Sequence, residues 1–155
     1  MAIYHLFFEQ KIPQSLDTLW DFISDPLNLK LITPPDLAME ILSHDLPSHI
    51  HPGLIISYSI KPLAGIKMLW LTEIKHLKEK EYFVDEQRAG PYKMWHHLHK
   101  LTPFDNYVLM SDVVTYRPPY GFIGSIANSI FIRNKLKDIF EYRRAVLEKK
   151  FGKTE

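Results

Sequence analysis

The chain has 155 residues, 46% hydrophobic and 24% charged, a size and balance that suit one soluble globular domain spanning 1–155. Zero cysteines exclude a disulfide framework, a thiolate nucleophile and any sulfur-ligated zinc site. Nineteen basic against eighteen acidic side chains give a net charge of +1, which speaks against nucleic acid as a partner, because that binding draws on excess basic charge.

In chain order, Ile3 to Ile12 is apolar and aromatic, ends at Pro13 and predicts a first strand. It carries no basic flank or cleavage site, so no secretion signal is expected. Ser15 is a good N-cap, and Leu16, Leu19, Trp20 and Ile23 recur at helical spacing, predicting a short helix over 16–24. Pro26 suits the first position of a second short helix, which Pro34-Pro35 closes. Six strands are predicted next, over 37–43, 54–61, 66–77, 81–89, 93–102 and 106–117, separated by Pro-, Gly- and Asn-containing turns. The connections are too short for helical crossovers, so consecutive strands pair antiparallel.

Pro118-Pro119 and Gly121 end the sheet, and a long helix runs from about 124 to 150. On a helical wheel centred on Leu136, Phe122, Ile126, Ile132, Ile139, Phe140, Val146, Leu147 and Phe151 form one apolar stripe that suits a sheet face. Ile123, Ala127, Ile130 and Phe131 add apolar residues on the far side of its first turns, a surface that fits a dimer or a docked partner. Eleven basic and fourteen acidic residues precede position 124, and eight basic and four acidic follow, so the helix also carries a solvated basic face. No apolar stretch approaches the roughly 20 residues that span a bilayer, and a cytoplasmic protein is expected.

Several strings carry a resemblance: Asn28-Leu29 with Ile32-Thr33-Pro34-Pro35; Phe83, Asp85 and Gln87 before Gly90-Pro91-Tyr92; Trp95, His97 and His99; Met110, Asp112, Val114 and Tyr116; and Phe140 to Arg144. With the element order, they resemble the SRPBCC or START-like superfamily, the helix-grip fold of the birch-pollen allergen, and within it bacterial stand-alone domains of the polyketide cyclase/dehydrase type. The resemblance covers residues 1–151. It implies an α+β domain in which a curved seven-stranded antiparallel sheet wraps around a long C-terminal helix, with two short helices after the first strand. It also implies a cavity between sheet and helix for a hydrophobic or amphipathic small molecule, such as a lipid, polyketide or quinone-like compound.

Side chains alternate along a strand, so Trp95, His97 and His99 share one face and Asp112 and Tyr116 share one face of the neighbouring strand. The face carrying Trp95 and Asp112 is expected to line the cavity, with His96 and Lys100 outside. Asp112 lies near His97 or His99 if the register sets them opposite. The histidines then have three readings: hydrogen-bonded structural groups, polar anchors for a ligand, or a metal pair with Asp112 as third ligand. No residue pattern identifies that third ligand, and neither a metal nor another cofactor is assigned.

Arg143 falls about 20° from the stripe centre and needs a partner, either Asp85, Glu86 or Asp112, or the acidic group of a ligand. Ser129 lies near the stripe centre too, and no base is placed beside it. His49 and His51 sit in a Pro-flanked loop and suit turn roles. The ligand-binding candidates are therefore Trp95, His97, His99, Asp112, Tyr116 and Arg143. There is no Gly-rich phosphate loop, G-x-S-x-G elbow, H-E-x-x-H or recognisable carboxylate pair, which leaves catalysis open. The expected functions are ligand binding, a cyclase or hydratase-like reaction with His97 or His99 as acid or base, or a dimeric interaction module.

Overall fold

The computed structural model describes residues 2–62, 65–121, 123, 126 and 128–154, without the side chains of Asn128 and Ser129. Strand β1 (Tyr4–Ile12) leads to helix α1 (Leu16–Ser24), which is capped where Ser15 Oγ accepts from the Thr18 amide at 3.2 Å. Two 3₁₀ turns follow, Pro26–Lys30 and Pro35–Leu37. Asp25 caps the first by accepting from the Leu27 amide at 2.9 Å.

The sheet continues with β2 (Glu40–Ile41), β3 (Ile55–Ile60), β4 (Met68–Lys78), β5 (Tyr82–Ala89), β6 (Met94–Pro103) and β7 (Val108–Arg117). All neighbours are antiparallel, in the order β1-β7-β6-β5-β4-β3-β2. Strand β4 shifts register twice against β5, once between Leu71 and Thr72 and once between Ile74 and His76. Such irregularities bend a strand and increase its twist.

A π-helical turn, Asn128–Ile132, enters helix α2 (Arg133–Phe151). Leu136, Phe140 and Leu147 are buried against the sheet, and burying such side chains stabilises by about 1.5–3 kcal/mol each. Phe140 stacks on Phe8 at 4.1 Å, and Phe151 meets Phe22 edge-on at 5.3 Å. The helix is also stitched to the first strand. Arg144 donates to the Glu9 carbonyl at 2.9 Å and Gln10 to the Arg144 carbonyl at 3.0 Å.

Three expectations need correction. The strand predicted over 37–43 is only Glu40–Ile41, because its first residue completes the Pro35–Leu37 turn and Ala38 takes a left-handed φ of 45°. The long helix is regular only from Arg133, since a π turn precedes it. One unbroken 100° period puts Ile126 on the inner stripe, yet it is exposed, as are Ile123, Ile130 and Phe131. Phe122, Gly124, Ala127 and the Ser129 side chain lie outside the described residues.

Candidate functional site

Strand alternation puts Trp95, His97, His99 and Leu101 of β6 on the buried face, while Lys100 is exposed. On β7, Met110, Asp112, Val114 and Tyr116 are buried on the same side. The hairpin register sets His99 opposite Asp112 and Trp95 opposite Tyr116. On the other flank, β5 sets Asp85 opposite His97 and Phe83 opposite His99. Arg143 reaches the group from α2.

These five polar residues form one network, buried except for the partly exposed Asp85. Asp112 Oδ1 lies 2.9 Å from His97 Nε2, 3.0 Å from His99 Nδ1 and 3.2 Å from Arg143 Nη1. Asp85 Oδ2 lies 2.7 Å from His99 Nε2 and 3.5 Å from His97 Nδ1. Both His99 nitrogens therefore face carboxylates, the arrangement of an imidazolium that donates twice. Burial pushes His99 down, but the bonds to Asp112 and Asp85 outweigh it and hold the ring above its ordinary value. His97 goes the other way, because burial and then the neighbouring His99 charge outweigh its bond to Asp112. A neutral His97 then donates from Nε2 and keeps Nδ1 bare.

Burial would raise both carboxyls. At Asp112 the Arg143 guanidinium, followed by the His97 and His99 bonds, overcomes burial and holds the group well below the usual carboxylate range. At Asp85 the His99 bond, with the two imidazoles alongside, outweighs burial and lowers the group. Two carboxylates thus balance Arg143 and His99. Arg143 Nη2 also lies 3.5 Å from His99 Nδ1. Arg143 Nε is buried with no hydrogen-bond partner among the described residues.

A cavity of about 250 Å³ opens beside this network, between the sheet, the short helical segments and α2. Ile56, Ile60, Trp70, Leu136 and Ile139 are among its apolar walls, and Asp85, His97, His99 and Arg143 supply its polar part. Trp70 stacks with Tyr58 at 6.0 Å and meets Trp95 edge-on at 5.2 Å, and its buried indole N–H has no hydrogen-bond partner among the described residues. Gln87 clamps the β5–β6 loop, donating to the Tyr92 carbonyl at 2.7 Å and accepting from its amide at 3.1 Å, which sets Tyr92 on the wall.

Of the six ligand-binding candidates, Trp95, His97, His99 and Arg143 lie on the wall of this cavity. Asp112 lies behind the histidines, and with Arg143 it lines a separate cavity of about 20 Å³, the size of a single water site. Tyr116 is fully buried behind Tyr92 and Trp95, its ring 5.8 and 6.2 Å from theirs. The sequence offers Asp85 only as a possible partner of Arg143, and it pairs with the histidines instead. Phe83, Asp85 and Gln87 alternate with period two, the signal that puts Asp85 on the inner face. Away from the cavity, His49 Nδ1 bonds Ser24 Oγ at 2.9 Å, and His51 Nδ1 lies 3.1 Å from the Pro52 carbonyl.

No family model and no curated protein sequence matches the chain. Solved structures do. Protein TTHA0849 from Thermus thermophilus is 15% identical, with 96% of this chain and 97% of that chain covered at a TM-score of 0.71. Ginseng major latex-like protein 151 from Panax ginseng is 13% identical, with 96% and 97% covered at 0.69. Ara h 8.0201 is 17% identical, with 96% and 99% covered at 0.61. At these identities the likeness is one of architecture, and it runs over nearly the full length of each chain: the chain has the helix-grip fold.

Proposed function

We propose that the protein binds a compact hydrophobic or amphipathic small molecule between the sheet and α2. The observation that carries this reading is the 250 Å³ cavity, apolar over most of its wall and polar at the Asp85, His97, His99 and Arg143 network. Its volume lies just below the usual range of about 300–1,000 Å³ for small-molecule sites, which favours a small ligand over a long-chain lipid. Apolar walls supply most of the affinity, and the network orients the polar end. Native mass spectrometry of the purified protein, followed by solvent extraction, tests the reading. One equivalent of a small organic molecule supports it; an empty protein that takes up no compound from an apolar and amphipathic library sinks it.

One pair favours a second reading, a cyclase or hydratase-like enzyme. His97 lies on the wall, Asp112 holds its Nε2 at 2.9 Å, and its neutral state suits a general base. His97→Gln then abolishes turnover of the extracted molecule while circular dichroism stays unchanged; full activity in that variant removes the reading. The exposed Ile123, Ile126, Ile130 and Phe131 side chains favour self-association as well. A monomer in sedimentation at high concentration rules that out.

A further inference from the structure

We propose that Asp85, His97 and His99 form a binding site for one divalent first-row transition-metal ion, with Asp112 and Arg143 fixing the ligands from behind. The donor atoms are Asp85 Oδ2, His97 Nδ1 and His99 Nε2. The carboxylate oxygen lies 3.5 Å from the first nitrogen and 2.7 Å from the second, and one donor atom from each residue lies within 4.8 Å of the others. Tetrahedral bonds of about 2.0–2.2 Å hold ligand atoms about 3.3–3.6 Å apart, so the 3.5 Å pair already fits, and the 2.7 Å pair, a hydrogen bond in the metal-free chain, widens as the ion replaces its proton.

The outward nitrogens are the stronger clue. His97 Nε2 and His99 Nδ1 both converge on a single oxygen, Asp112 Oδ1, at 2.9 and 3.0 Å. Donation from His97 Nε2 leaves His97 Nδ1 with its lone pair toward Asp85, and the 3.0 Å approach of His99 Nδ1 to the same oxygen favours the matching tautomer at His99. Metal-ligating histidines characteristically give their second N–H to such a carboxylate. Arg143 Nη1, 3.2 Å from the same oxygen, keeps Asp112 ionised for that task.

Two imidazoles and one carboxylate select a first-row transition ion over magnesium or calcium, which take oxygen ligands. All three ligands are on the cavity wall, so the remaining coordination positions open to whatever enters. With both imidazoles neutral, Asp85, Asp112 and Arg143 sum to −1, and a divalent ion brings the total to +1. An anionic oxygen on a cavity ligand restores neutrality. In the metal-free chain a proton between His99 Nε2 and Asp85 Oδ2 fills the same place, and the ion displaces it. Binding of the ion does not require an organic ligand in the cavity.

The test is calorimetric titration of chelator-stripped full-length protein with zinc chloride, beside NMR of the same protein with cobalt(II). The expected result is one equivalent of zinc bound, with paramagnetic shifts on the ring protons of His97 and His99. Asp85→Asn, with its fold checked by circular dichroism, weakens zinc at least tenfold. If that variant does not fold, the cobalt shifts on the unaltered protein decide. Absence of zinc binding, unchanged affinity in a folded Asp85→Asn variant, or cobalt shifts confined to exposed histidines such as His51 would each overturn the proposal.

Discussion

Arg143 shows how one side chain ties fold and site together. Its guanidinium is buried on α2, and it is the largest influence holding Asp112 ionised against burial. Replacing one member of a buried charge pair strands the other, at about 3–5 kcal/mol. Arg143→Met in metal-free protein is therefore expected to lose that much in urea unfolding, and a loss under about 1 kcal/mol would show that Asp112 finds its compensation elsewhere. Tyr58 offers a pH-dependent counterpart. Burial pushes its hydroxyl above the ordinary tyrosine range, more than the 3.1 Å bond to Thr72 offsets. The folded pKa is raised, so the contribution is intact below the unfolded value near pH 10 and is lost above it, at about 1.4 kcal/mol per pH unit. In alkaline unfolding, Tyr58→Phe should flatten the pH dependence by that slope while costing about 1 kcal/mol at neutral pH. At this scale the sequence was partly legible. Alternation gave the shared face of Trp95, His97 and His99, but which carboxylate meets which nitrogen depends on register, and register depends on loop geometry. That is why Asp112 was expected on the wall and stands behind it, and why the role of Asp85 was missed.

Among the elements, the β5–β6 hairpin matters most to the site, because its loop sets Asp85 against His97 and brings Tyr92 to the cavity. A Cβ on Gly90 would lie 2.5 Å from Gln87 Oε1, the atom that accepts the Tyr92 amide. Gly90→Ala should cost about 1–3 kcal/mol in stability by breaking that clamp. Combined with Gln87→Ala it should cost clearly less than the sum of the two, because the clash needs both side chains. Additive costs in thermal unfolding would refute the clamp. Strand positions were readable because turn residues such as Gly90-Pro91 and Pro103 punctuate period-two runs. Helix α2 was readable from Leu136 onward by its stripe. Its beginning was not, since a π turn changes the angular period on which the wheel rests.

For the whole molecule, the cavity is empty volume between two layers, so filling it from within should trade ligand affinity for packing. Ile139 faces the cavity from α2. Ile139→Trp should abolish uptake of the extracted molecule and the rise in melting temperature that comes with it, with a stability change within about 3 kcal/mol either way. Unchanged uptake would place the ligand elsewhere. The sheet order has a separate consequence, for synthesis. Strand β1 pairs with β7, about a hundred residues further along the chain, whereas every other pairing joins consecutive strands. At ribosomal rates of about 5–20 residues per second, the first strand waits about 5–20 s for its only partner to be made. During that interval Leu6, Phe8 and Ile12 have no sheet to cover them, so this hydrophobic segment stays unsheltered while β2 to β7 are made.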